Sequence, residues 1–560
     1  MGSQTAHSFP ELSPTPYPGN PPPPERRPRH EAGHARPDAD TELIQALQDP
    51  ACYGHPCGDV EVLETHLSWV LLTGAFAYKI KKPVNLGFVD FTTLDRRRHF
   101  CEEELRLNRR LAPQIYLDVV AITGHPDAPR VGGAGPAIEY AVRMVQFPQE
   151  QLAARQLAEG RLEDRHLDTL AHNIAAFHDH IPWAGAAMGH GDPERVHTPV
   201  RQNFAQLLDL LGTGSDRRRV EALARWSETR FAAARDLLQR RQETGHVREC
   251  HGDLHLGNMA LLDGRLVMFD CIEFNPALRW MDTASEVAFV VMDLLYRGSA
   301  HFAHRFLNAY LEIKGDYESL QILDYYLVYR AVVRAKVAAI RARQSAHDAA
   351  ASAAALDEAR AYLKLAASLT RPRHPALLIT HGLSGSGKTM HSQALVEGLG
   401  MIRLRSDVER KRLFGLAPSA RTAAGQGIYS PEATARTYEV LEERAAAIVQ
   451  AGYGAMVDAT FLRQSQRARF ADLACRLGCP FVIMAFEARL ETLRRRVASR
   501  AESNADVSEA TLDVLEAQLQ ERQDLSAGER AVAVVLDTER PDAAEYLTRA
   551  VSARLNTGLH

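Results

Sequence analysis

The sequence predicts a mixed α+β unit followed by an α/β unit built on a parallel sheet, behind a proline-rich tail. Three observations carry that reading. Residues 1–40 hold ten prolines and few large apolar groups, too little to offset ordering entropy, so this tail is expected to be disordered. Residues 55–150 break into short strand-like runs, whereas 151–370 run mostly at helical spacing. Beyond a linker at Thr370–Pro375, an apolar strand, a glycine loop and a helix open a strand–helix alternation that continues to residue 560, the mark of a parallel sheet covered by helices.

The elements follow in order. Val60–Glu64, Trp69–Thr73 and Phe76–Ile80 read as strands joined by tight turns, then a helix over Arg96–Leu111 and strands over Tyr116–Ile122 and Ala137–Phe147. In the helical region Leu167, Leu170, Ile174, Phe177 and Ile181 share one face and read as core. A loop-and-strand island at 246–276 interrupts it, and a helix around Tyr325–Arg343 closes it. The last unit places strands at 376–380, 401–405, 454–458, 481–486 and 531–537. The domains expected are therefore 1–40, 41–370 (lobes at about 55–150 and 151–370) and 371–560.

Composition narrows the partners. A net charge of −4 disfavours a chain whose main task is coating nucleic acid or anionic membrane. No run approaches the ~18–20 apolar residues that cross a bilayer, and the N-terminus lacks a basic-then-apolar signal. Seven scattered cysteines form no disulfide framework or zinc spacing, so a reducing cytoplasm is expected. Of 66 basic residues only eight are lysine, and their positions become informative.

One lysine completes Gly382-Leu-Ser384-Gly385-Ser386-Gly387-Lys388-Thr389. In this pattern backbone N–H groups cradle phosphates, the lysine meets the β and γ phosphates, and the threonine hydroxyl binds Mg²⁺. Asp407, just past the second strand, is positioned to take a proton from an acceptor hydroxyl, with Arg410 one turn on. Asp458 ends an apolar strand, where an aspartate holds Mg²⁺. Arg494, Arg495, Arg496 and Arg500 share a helix, and Arg496 and Arg500 are the candidates to close over the transferring phosphate. These features resemble the small-molecule P-loop kinases, which include gluconate-kinase-like, polynucleotide-kinase-like and zeta-toxin-like proteins. The resemblance covers roughly 375–555 and implies ATP-dependent phosphoryl transfer to a hydroxyl with Asp407 as base.

A second constellation lies upstream. His251-Gly252-Asp253 is followed five residues on from the aspartate by Asn258, and twelve further by Asp270 at a strand end. Asp253 handles the acceptor proton, while Asn258 and Asp270 offer oxygens to nucleotide-bound Mg²⁺. His190-Gly191-Asp192 repeats the tripeptide without the sequel and reads as a loop. Lys79 and Lys81 fall on one strand face, so spacing leaves both open as the phosphate lysine; Lys79 is favoured because an apolar residue follows directly. Of Glu102, Glu103 and Glu104, the last shares a face with Leu111 and is chosen as its partner. This half resembles the aminoglycoside phosphotransferase and choline kinase superfamily, relatives of protein kinases, over roughly 55–345, which implies a bilobal α+β kinase-like fold. It departs from that pattern at Thr65–Ser68, a turn with no glycine. Together the resemblances imply an ATP- and Mg²⁺-dependent bifunctional enzyme with small-molecule hydroxyl acceptors. The alternatives are one catalytic and one nucleotide-sensing half, or a polynucleotide or nucleotide-sugar kinase. His178 and His180 read as a polar helix end.

Overall fold

A computed structural model describes residues 39–85, 87, 89–185, 188–417, 420, 427–503 and 511–557, the side chains of 39, 500–503 and 557 excepted. The tail lies outside these residues, apart from its last two, which open a helix over Ala39–Ala46. The described chain forms two compact units.

The first unit comprises residues up to 109, 113–146 and 273–275. Its strands are β1 (Glu61–Glu64), β2 (Ser68–Leu72), β3 (Phe76–Lys81), β4 (Tyr116–His125), β5 (Ala128–Val131) and β6 (Ala137–Val145). They form one antiparallel sheet in the order β1-β2-β3-β6-β4-β5. Thr73 and Phe76 close the β2–β3 turn by a backbone bond of 2.9 Å, with Gly74 supplying φ 92°. The Leu94–Asn108 helix is N-capped by Thr93, whose hydroxyl accepts from Arg96 N at 3.3 Å. Arg97, Cys101, Glu104 and Asn108 recur at helical spacing and form its buried face. The sequence reading lacked β5. Its Pro129 is tolerated because β5 is an edge strand.

The second unit holds the helical region and residues 371–557 together, and one hydrophobic core runs through both, from Ala153 to Ala533. Within the helical region β7 (Val247–Glu249) pairs with β10 (Trp280–Asp282), and β8 (Met259–Leu262) with β9 (Arg265–Met268), each antiparallel. The closing helix spans Leu320–Gln344 and is followed by another, Ala349–Leu369, that packs back on it through Ala359, Tyr362, Leu363 and Ala366. Its alanine-rich sequence carries strong propensity but little apolar periodicity, so the reading passed over it. Beyond it, β11 (Leu377–His381), β12 (Ile402–Arg405), β13 (Ala455–Asp458), β14 (Phe481–Glu487) and β15 (Ala533–Asp537) form a parallel sheet ordered β12-β13-β11-β14-β15. The chain leaves β11 to one side for β12 and β13 and to the other for β14, so the carboxyl end of β11 is the switch point where such sheets bind ligands.

Candidate active sites

The loop after β7 is held by two carboxylates from the Thr283–Tyr296 helix. Glu286 Oε1 accepts from His251 N at 2.7 Å and Gly252 N at 2.9 Å, and its Oε2 is 2.8 Å from His178 Nε2. One face of the same helix, two turns on, bears Asp293, whose Oδ2 accepts from Leu256 N at 2.9 Å. Gly252 (φ 95°) is required here: a Cβ would lie 3.1 Å from Leu278 O and 3.2 Å from Ile272 Cδ1. Sequence reasoning missed both acids. Their signal was present, since carboxylates in an otherwise apolar helical run must be paired if buried. His178 is a buried hydrogen-bonding link, bonded also to Tyr310 Oη at 2.8 Å, rather than a polar helix end.

Asp253 stands on this fixed loop. Asn258 Nδ2 donates to its Oδ2 at 3.1 Å and to its carbonyl at 3.0 Å. Gly257 N donates to His255 Nδ1 at 3.0 Å, and His255 Nε2 lies 3.4 Å from Asp253 Oδ2 and 3.3 Å from Arg334 Nη1. Burial opposes the Asp253 charge, but His255, Arg334 and His251 hold its carboxyl below the usual carboxylate range. The side chain still keeps 35% of its exposure, so the carboxylate is accessible. The β8–β9 register pairs Met259 with Met268 and bonds Phe269 N to Asn258 O at 3.0 Å, which brings Asn258 and Asp270 to one end of the hairpin. Asp270 has φ 66°, a left-handed conformation that costs energy for most side chains and that short polar ones tolerate best. Asp192 of the rejected tripeptide is a helix N-cap, accepting from Glu194 N and Arg195 N.

Glu286 supplies a pH prediction. Burial raises its carboxyl, but His178, His251 and the Gly252 N–H override that and bring it from 4.5 to about 2. A depressed carboxyl stabilises the fold above about pH 4.5 and gives that up as pH falls through about 2. A shift of this size corresponds to a few kcal/mol at most, at ~1.4 kcal/mol per unit. Glu286→Gln is expected to lower stability at pH 7 and to flatten the fall between pH 4.5 and 2; urea melts across that range check it, and parallel wild-type and variant curves would refute the linkage.

In the first unit, Glu104 takes both candidate lysines: Lys79 Nζ lies 2.8 Å from Oε1 and Lys81 Nζ 2.7 Å from Oε2. Lys81 also contacts Glu273 and is wholly buried, while Lys79 keeps 16% exposure. Burial raises the Glu104 carboxyl, yet the two ammonium groups bring it to about 2. Glu102 and Glu103 instead pair with Arg98 and Arg106 at 2.9 Å. The glycine-free turn is closed by Thr65, whose hydroxyl accepts from Ser68 N at 3.0 Å and donates to Ser68 O at 2.9 Å.

The glycine loop follows β11. A Cβ on Gly382 would meet Phe486 O at 2.7 Å, and one on Gly385 would meet Leu493 O at 2.9 Å; Gly385 and Gly387 have φ near 82° (81° and 83°). Larger residues would break the cradle. Ser384 N donates to Gln518 at 2.8 Å, and Ser386 Oγ is buried with no partner among the described residues. Lys388 Nζ donates to Gly382 O and Leu383 O, both at 2.9 Å. Thr389 Oγ1 donates to Asp458 Oδ2 at 2.7 Å. That hydroxyl and carboxylate, converging beside a phosphate cradle, are the hard oxygen donors Mg²⁺ takes. Arg405 and Asp458 are level in register, so Asp407, two residues on in the Ser406–Leu413 helix, stands at the same sheet edge. Arg410 is buried and donates to Ile428 O at 2.8 Å and Thr434 Oγ1 at 3.2 Å, holding the segment before the Pro431–Gln450 helix. Arg496 reaches the glycine loop, donating to Gly385 O at 3.3 Å and Thr538 Oγ1 at 3.0 Å, whereas Arg494 pairs with Glu516 at 2.7 Å. The side chain of Arg500 lies outside the described residues.

Comparison with known proteins matches each half separately. Residues 91–323 fit the model of a phosphotransferase enzyme family, and residues 377–525 fit that of an AAA domain. The chain joins a phosphotransferase-family domain to a P-loop kinase domain. Proteins of Mycobacterium tuberculosis and Mycobacterium bovis, both described as uncharacterised, are 29% identical over 502 residues, covering 88% of this chain and 96% of theirs. They therefore span both domains in the same order. Among solved structures, a gluconokinase from Sinorhizobium meliloti is 17% identical, covering 33% of this chain and 96% of its own at a TM-score of 0.25. A choline/ethanolamine kinase family protein from Mesorhizobium loti is 10% identical, covering 59% and 98% at a TM-score of 0.34. No helix among the described residues of the phosphotransferase-family or P-loop kinase domain is long and apolar enough to cross a membrane.

Proposed function

We propose that the protein is a bifunctional kinase that moves the γ-phosphate of ATP to hydroxyls of small molecules at two separate sites, one in 41–370 and one in 371–560. The observation that carries the reading is the 2.7 Å contact of Thr389 with Asp458 beside Lys388 in its glycine cradle. Within 41–370, Asn258 and Asp270 would hold Mg²⁺ in the second unit, and Lys79, paired with Glu104 in the first unit, would meet phosphate. In the C-terminal site Thr389 and Asp458 would hold it, with Lys388 and Arg496 on the phosphates. Bound Mg²⁺ neutralises charge on the phosphates. Asp253 and Asp407 orient the attacking hydroxyls. A carboxylate held as low as Asp253 is a weak base, so it accepts the proton only as the new bond to phosphorus forms. None of the seven cysteines is in a disulfide, which supports a reducing, cytoplasmic setting.

A second reading, in which one domain senses nucleotide for the other, draws support from a contact between them: Tyr317 Oη donates to Glu409 at 3.3 Å, two residues from Asp407. Counting Mg²⁺-ATP sites on the full chain discriminates the readings. Two sites, each lost separately in Lys388→Ala and in Asp270→Asn, with turnover at both, are expected. Two sites with turnover at one favour the sensing reading, and a single site overturns the bifunctional one.

A further inference from the structure

A cavity of about 470 Å³ lies where the helical region meets the starts of the parallel strands. It is at the opposite end of the sheet from the glycine loop, so neither candidate active site in this unit uses it. Ala376, Met401, Gly454 and Pro480, the residues that lead into β11, β12, β13 and β14, form one side. Leu307, Leu323 and Leu327 from the helical region form the other, and Leu369 with Arg373 belongs to the connection between the domains. Protein interiors leave few voids larger than a water molecule, and a mostly apolar space of this size falls within the ~300–1,000 Å³ of ligand sites.

The polar side chains on the wall are His304, Arg373, His374, Tyr453 and Asn556; the contacts of Arg373, Tyr453 and His304 indicate the occupant. Arg373 stacks on Tyr453 at 4.0 Å and donates to Asp324 at 2.7 Å, and Tyr453 Oη donates to the same carboxylate oxygen at 2.8 Å. The one arginine charge at this wall is thus already offset by Asp324, and no acidic residue lines the cavity among the described residues. His304 Nδ1 donates to Glu397 O at 2.9 Å, which leaves Nε2 as an acceptor. Burial lowers the pKa of this histidine, so the ring is neutral at pH 7. Placing an uncompensated charge in such a space is costly, whereas a hydroxyl satisfies the imidazole nitrogen and leaves an aliphatic body for the leucines.

The geometry points to a binding site for an uncharged aliphatic alcohol, held by its O–H to His304 Nε2 and by its chain against Leu307, Leu323, Leu327 and Leu369. The site is independent of the kinase reading. It is tested by calorimetric titration of the full chain at pH 7 with 1-octanol, octanoate and octylamine. Octanol is expected to bind saturably at one site, and the two ions at least tenfold more weakly. Leu369→Trp, at a half-buried position, and Leu323→Trp fill the space and are expected to cut octanol affinity at least tenfold with Mg²⁺-ATP binding unchanged. His304→Phe keeps the ring and removes the acceptor, for an expected loss of several-fold; it decides the matter if neither tryptophan variant melts cooperatively. Non-saturable uptake of octanol, equal binding of octanoate, or affinity untouched by these substitutions would each overturn the assignment.

Discussion

Lys388→Ala is expected to slow phosphoryl transfer at the C-terminal site by about 10²–10³ while the chain still folds. The lysine follows Gly387 and opens the Lys388–Leu399 helix, where backbone N–H groups and helix dipole already favour anions. Its ammonium donates to Gly382 O and Leu383 O, both at 2.9 Å, and a bound phosphate would draw it off these two carbonyls. The lysine also ties its own loop through these two bonds. Two such partly exposed bonds are worth about 0.5–1.5 kcal/mol each, a modest loss of stability. Removing a charge aimed at the transition state costs about 10²–10³ in rate. The clean measurement is ATP turnover in an Asp253→Asn background, where the N-terminal site is silent. Turnover undiminished by Lys388→Ala in that background would remove the P-loop site from the mechanism, and a chain that no longer melts cooperatively would show the two loop bonds to be structural.

What the sequence disclosed and what it withheld separate along physical lines. The five strands of the parallel sheet were legible to within two residues because most are short buried apolar runs bounded by turn residues, as at Ala455–Asp458 after Gly454. Asp253, Asn258 and Asp270 were legible because one loop and one hairpin fix their spacing, so sequence distance translates into proximity. Scarcity helped too: with eight lysines in the chain, three within the four positions 79–82 at the end of β3 could not be background. The choice between Lys79 and Lys81 was not legible, since both sit on one face and Glu104 has an oxygen for each. Only burial separates them, and burial is a tertiary property. Glu273, Glu286, Asp293 and Gln518 were missed for the same reason: each acts on a segment far away in sequence, such as Gln518 on Ser384 N. His255, two residues beyond Asp253, was within the motif and could have been read as its neighbour. The linker at 370–375 suggested two separate cores, yet the strand starts beyond it share a core with the helices before it, which composition does not reveal.

The sharpest division of labour is expected between Asp253 and Asp270. Asp253 is held by Asn258 Nδ2 at 3.1 Å on a loop pinned by Glu286, so Asp253→Asn should leave the loop in place. Its loss removes the carboxylate that handles the acceptor proton, at a cost of about 10²–10⁴ in rate, while ground-state nucleotide binding is retained. Asp270 stands at the end of the β8–β9 hairpin in a left-handed conformation, φ 66°. Asparagine tolerates that conformation as well as aspartate does, so Asp270→Asn changes the charge and not the backbone. Without the carboxylate the site loses a hard oxygen ligand for nucleotide-bound Mg²⁺, and affinity should fall along with turnover. Both variants are to be made in the full chain carrying Lys388→Ala, so that the second nucleotide site does not contribute, and titrated with ATP in the presence and absence of Mg²⁺. The expected result is near-wild-type Mg²⁺-ATP binding without turnover for Asp253→Asn, and loss of the magnesium-dependent part of binding for Asp270→Asn. The reverse pattern would invert the two roles. If Lys388→Ala alone already binds no ATP, the N-terminal domain does not hold nucleotide, and the constellation from Asp253 to Asp270 serves something other than phosphoryl transfer.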